Sequence, residues 1–127
     1  MKIILKVKRS FDSAHFLKDY IGPCAELHGH TWKVVIGFNI LKIDCSNMSV
    51  DFKLIKKLVD NILPDHQCLN TFYNENNPTA EWLAGRLLKD IEKEIYSAAF
   101  EKLISIAEIE IFETENNSVY LAYKEAE

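Results

Sequence analysis

A chain of 127 residues with 48% hydrophobic and 27% charged residues carries enough apolar material for one core, and it reads as one domain spanning residues 1–127. A net charge of −4 without a basic run argues against nucleic acid as a partner, and every apolar stretch is broken by Lys, Asp or Glu before it could span a bilayer. Three cysteines, an odd number with no CxxC pair, and no signal peptide fit a cytoplasmic setting rather than a disulfide framework.

Lys2 to Arg9 alternates Ile3, Leu5 and Val7 with Ile4, Lys6 and Lys8, which predicts a half-buried strand that runs on through Phe11 and Ala14 towards His15. Leu17 to Pro23 contains Asp19, Gly22 and Pro23 and reads as a loop. From His28 to Ile40, aromatic and β-branched residues dominate and predict a second strand, antiparallel to the first. Residues i and i+2 of a strand face one side, so His28 and His30 aim two imidazoles at one point past Gly29, and His15 offers a third. Zinc held by three histidines keeps its fourth position open, the arrangement of a catalytic site. Cys24, four residues before His28, is then either a fourth ligand that closes the site or a free thiol beside a substrate. Cys45 and Cys68 read as small buried hydrophobes.

Leu54, Ile55, Leu58, Val59 and Ile62 fall at helical spacing after Asp51, a suitable N-cap, and this helix ends before Pro64. Asp65-His66 reads equally as a turn after Pro64 and as a proton-transfer pair. Leu69 to Asn77 is rich in Asn and reads as a loop. Asn77-Pro78-Thr79-Ala80-Glu81 has the form of a helix start, with Pro in an early position, and Trp82, Leu83, Leu87, Leu88, Ile91 and Ile95 give that helix its apolar stripe. Period two returns at Ile104, Ile106, Ile109 and Ile111 for a third strand ending at Phe112-Glu113-Thr114, and Val119 to Tyr123 is a fourth after a turn. The order ββααββ predicts an α+β fold: a four-stranded antiparallel sheet with two helices on one face, whose exposed edges assembly between subunits would cover.

The set Ser13-Ala14-His15, Cys24-x-x-x-His28-Gly29-His30, Val50-Asp51-Phe52, Asp65-His66-x-x-Leu69-Asn70, Asn77-Pro78-Thr79-Ala80-Glu81 and Phe112-Glu113-Thr114 resembles the 6-pyruvoyl-tetrahydropterin synthase family. Within it, the chain looks most like the bacterial 6-carboxy-5,6,7,8-tetrahydropterin synthases of queuosine biosynthesis. The resemblance implies the tunnelling fold (T-fold), in which the sheets of a trimer or hexamer join into a β-barrel with active sites between subunits. It implies zinc on His15, His28 and His30, catalysis by Cys24 with Asp65 and His66, and a pterin anchored by Glu113 with Thr79 as a second contact. The implied substrate is 7,8-dihydroneopterin triphosphate, with triphosphate and acetaldehyde released and 6-carboxytetrahydropterin formed. The spacing of three residues between Cys24 and His28 is that of the carboxy-forming branch rather than of the pyruvoyl-forming animal enzymes. Phe16 stands where many relatives have Arg, and Trp82 where a smaller or polar residue is common. Glu26 leaves room for an aldolase-like side activity, since relatives without the cysteine use a glutamate near this place. Another class remains as an alternative: a zinc- and pterin-binding protein without turnover.

Overall fold

In the computed structural model, which describes residues 1–124, the period-two segments become four long strands. These are β1 (Ile4–His15), β2 (His28–Ile40), β4 (Ile104–Thr114) and β5 (Asn117–Ala122), each antiparallel to the next. A fifth, β3 (Gln67–Cys68), pairs in parallel with Ser13 and Ala14, so the sheet is mixed and its order is β3-β1-β2-β4-β5. The expected purely antiparallel four-stranded sheet is corrected here, and the reason is length: two residues carry no alternation to read.

Alternation sets one face of the sheet inward. Val7, Phe11, Ser13 and His15 of β1 and Trp32, Val34, Ile36 and Phe38 of β2 are all buried. The helices α1 (Phe52–Asp60) and α3 (Ala80–Ser97) share one core with that face. Asp51 caps α1 by accepting the Lys53 N–H at 2.7 Å, and Ile55, Leu58 and Val59 form its buried stripe. Thr79 caps α3 through the Trp82 N–H, so Pro78 precedes the cap instead of opening the first turn. Leu83, Leu87, Leu88, Ile91 and Ile95 bury the inner side of α3, each contributing about 1.5–3 kcal/mol. The stretch read as a loop contains the short α2 (Leu69–Phe72), one turn with no periodicity to reveal it. Cys45 is exposed and Cys68 half-buried. The reading of Cys45 as buried fails because it lies in a polar turn, where the Asp44 carboxylate accepts the Ser46 N–H.

One irregularity decides where a functional side chain points. The buried residues of β4 run Ile104, Ile106, then Ile109 and Ile111, a step of three that a bulge absorbs opposite Gly37 and Phe38. The extra residue moves the odd positions of β4 to the inner face, and Glu113 goes with them. Gly37 makes room there, because an added Cβ would lie 2.6 Å from Cγ of Glu108 and would displace that side chain.

Candidate metal centre and active site

The hairpin register sets His15 opposite His28 and Ser13 opposite His30. The three imidazoles converge at one end of the inner face, with ring centroids 4.6, 5.1 and 4.8 Å apart. Nδ1 of His15 lies 2.9 Å from the Pro78 carbonyl oxygen and Nδ1 of His28 lies 2.7 Å from that of Glu26. A carbonyl only accepts, so in both rings Nδ1 carries the proton and Nε2 is left as the lone-pair donor. Nε2 of His15 and Nε2 of His30 are buried without a hydrogen-bond partner. One ligand nitrogen from each of the three rings falls within 4.8 Å of the other two. Buried nitrogens left without partners and facing one another are costly unless something binds them, and a three-imidazole face suits zinc. Burial pushes the His30 imidazole below its ordinary pKa, with His15 and His28 adding to the effect and the Glu113 carboxylate opposing it. That direction favours the neutral, metal-binding form. Trp32 is fully buried beneath the cluster, with its ring centroid 5.2 Å from that of His15 and 5.4 Å from that of His30, and it supplies an apolar floor.

Glu113 closes one side of this cluster. Its carboxylate lies 3.6 Å from Nε2 of His30 and 4.0 Å from Nε2 of His15. Cys24 is half-buried in a 3-10 turn, Pro23–Ala25, and its carbonyl accepts the Leu17 N–H at 2.9 Å. Among the described residues its thiol is not part of the three-imidazole group. Thr79 is committed as a helix cap, although a hydroxyl that accepts can still donate.

Asp65 and His66 are exposed and lie 2.9 Å apart through Oδ2 and Nδ1. The Asp12 N–H, with His66 adding to it, holds the Asp65 carboxyl below the usual carboxylate range. With Asp12 they form a second cluster, distinct from the imidazoles. The two clusters border one shallow cavity of about 440 Å³ whose lining includes Gly29, His30, Thr31 and His66. The structure thus assembles the three histidines with Glu113, and keeps the Asp65–His66 pair apart from that group.

Asn70 has a role that the sequence reading did not assign. It is buried, its Oδ1 accepts the Phe16 N–H at 3.0 Å, and its Nδ2 donates to the carbonyls of Phe16 at 2.9 Å and Asn76 at 3.1 Å. One carboxamide therefore fixes the backbone just after His15 and the segment that leads to Pro78, whose carbonyl orients His15. Asp19 and Asn77 add a reciprocal pair between the same two segments. The signal in the sequence is the place of Asn70 in the motif Asp65-His66-x-x-Leu69-Asn70, which by itself names no role for it.

The family described as 6-pyruvoyl tetrahydropterin synthase matches the chain over residues 4–124. A Pyrococcus furiosus protein named dihydroneopterin monophosphate aldolase is 35% identical over 103 residues, which is 75% of this chain and 83% of that one. A Synechocystis protein named 6-carboxy-5,6,7,8-tetrahydropterin synthase is 32% identical over 91 residues, 66% of this chain and 70% of its own length. Among solved structures, the 6-pyruvoyl tetrahydropterin synthase of Caenorhabditis elegans superposes with a TM-score of 0.80 at 20% identity, covering 98% of this chain and 97% of that one.

Proposed function

Because the chain belongs to the 6-pyruvoyl tetrahydropterin synthase family, we propose that it is a zinc-dependent 6-carboxy-5,6,7,8-tetrahydropterin synthase acting on 7,8-dihydroneopterin triphosphate. The observation that carries this reading is the group of three imidazoles, in which Nε2 of His15 and Nε2 of His30 are buried without partners, next to the Glu113 carboxylate. His15, His28 and His30 would hold the zinc ion, which when bound would hold the hydroxyls of the substrate side chain and acidify the carbon-bound proton beside them. Glu113 accepts the adjacent N–H donors of the pterin's amino-pyrimidine edge. Cys24, as thiolate, takes a proton from the side-chain carbon, and His66, oriented by Asp65, returns one. Triphosphate leaves by elimination, and water adds to the side-chain carbonyl next to the ring, supplying the second carboxyl oxygen, so that carbon–carbon cleavage releases acetaldehyde and leaves the carboxyl on the pterin, as a step towards queuosine or another deazapurine in the cytoplasm.

A barrel of joined sheets, as a trimer or hexamer with sites between subunits, accounts for two features. Among the described residues, the outer edge of β1 has no partner strand beyond Ser13 and Ala14, and neither has the outer edge of β5. The exposed Asp65–His66 pair, set apart from its own chain's imidazoles, would serve a neighbour's thiol.

A second reading is an aldolase-type cleavage. It is favoured by the 35% identity to the Pyrococcus protein and by Glu26, exposed beside the cluster with its carbonyl on Nδ1 of His28. Product analysis separates the readings. Acetaldehyde with a carboxylated pterin is expected from the triphosphate. A pyruvoyl pterin, or a hydroxymethyl pterin with a phosphorylated two-carbon aldehyde, would replace the first reading. Pterin binding with no product would make the protein a non-catalytic binder.

Glu113→Gln keeps the shape of the side chain and removes its charge. Loss of a charge-assisted contact costs about 1.5–3 kcal/mol, so affinity for a pterin analogue is expected to fall ten- to hundredfold. Calorimetry showing unchanged affinity would assign the anchor elsewhere.

A further inference from the structure

The Asp65–His66 pair is held by β1 through a compact set of bonds. The Asp12 N–H donates to Oδ1 of Asp65 at 2.9 Å, and the His66 N–H donates to the Asp12 carbonyl at 2.6 Å. Ser13 spans the pair: its hydroxyl donates to the Pro64 carbonyl and accepts the Gln67 N–H at 3.3 Å, so one oxygen grips the chain on both sides of the two residues. Parallel pairing of Ser13 with Gln67 and of Ala14 with Cys68 continues the attachment. His66 has a φ of 56°, the left-handed region, which a residue with a side chain keeps only when its surroundings impose it. Ser13 is 6% exposed, faces His30 across the hairpin, and stands two residues before His15.

A hydroxyl on the inner face of β1 is not needed for packing. Phe11 and His15, its neighbours on that face, are large ring side chains, and an apolar residue between them would continue the core. What Ser13 adds is a donor for the Pro64 carbonyl and an acceptor for the Gln67 N–H. Both of those groups flank the pair.

We propose that Ser13 is a positioning residue for the Asp65–His66 pair, fixing the placement of His66 relative to the strand end that carries the imidazole cluster. This rests on the proton-transfer reading of that pair. Ser13→Ala is expected to lower kcat for 7,8-dihydroneopterin triphosphate by about 10- to 100-fold, as partial loss of a general acid–base group does. KM and zinc content should stay within about twofold of wild type. Backbone amides of His66 and Gln67 should exchange with solvent at least tenfold faster. Ser13→Thr, which keeps the hydroxyl, should restore both properties. In a His66→Ala background, Ser13→Ala should cause no further loss, because its effect passes through His66.

Unchanged exchange at His66 and Gln67 in Ser13→Ala overturns the inference, as does an equal loss of kcat with and without His66, or the same loss in Ser13→Thr. Wild-type turnover in His66→Ala alone is a separate result: it withdraws the proton-transfer reading, while amide exchange still decides whether Ser13 holds the loop.

Discussion

Cys24→Ala is expected to lower turnover by roughly 10²–10⁴-fold, the range of general acid–base groups, while zinc content and affinity for a pterin analogue stay near wild type. The reason is the placement of the thiol, which lies outside the group formed by His15, His28 and His30. On the proposed mechanism, removing it takes away the base that accepts the side-chain proton and leaves the three imidazoles in place. A fourth ligand would behave otherwise, since its loss opens the coordination shell and metal and activity fall together. Metal analysis, calorimetry and turnover on one preparation decide between the two jobs, and a Cys24→Ala protein that loses zinc defeats the catalytic assignment.

His30→Ala is expected to strip the metal. It removes one of three nitrogens, so the loss of zinc affinity should exceed the 10- to 100-fold typical of residues that only orient ligands, and turnover should vanish with it. The fold should survive, because the core of Trp32, Val34, Ile36 and the α3 stripe does not depend on the imidazole. The metal-free protein also gives a pH test. Burial lowers the pKa of His30 in the folded state, so the unfolded chain takes up this proton first as pH falls below its ordinary value near 6.5. The stability contribution is present above that value and is lost as pH falls through the folded one. Thermal unfolding of metal-free protein should therefore show a smaller loss on acidification in His30→Ala than in wild type, and full zinc occupancy in the variant would remove the assignment.

The long elements were legible because their patterns are long. Twelve residues of β1 and thirteen of β2 give several alternations each, and α3 shows its apolar stripe over five turns. The bulge in β4 was written in the step from Ile106 to Ile109, although its effect on Glu113 emerges only from the pairing. Two-residue β3 and one-turn α2 lie below the length at which any period can be counted. The convergence of His28 and His30 followed from strand geometry alone. Ser13 and Asn70 were invisible as functional groups because they bond to residues 51 to 54 positions away, and local patterning carries no information at that range. The separation of Asp65–His66 from the imidazoles likewise leaves no periodic trace in the sequence.

The bond between His15 and the Pro78 carbonyl spans 63 positions, whereas His15 and His28 are partners in a single hairpin. A refolding chain closes the hairpin early, and the distant carbonyl arrives only when the segment before α3 docks. All three rings of the cluster thus come together with the hairpin before the first is locked into its tautomer. An ion added at the start of refolding meets a loose three-armed chelate, and an ion added late meets a finished cup. Zinc uptake followed by a fluorescent chelator should accordingly lag behind strand formation and track the burial of Trp32, making occupancy a clock for the last step of folding rather than the first.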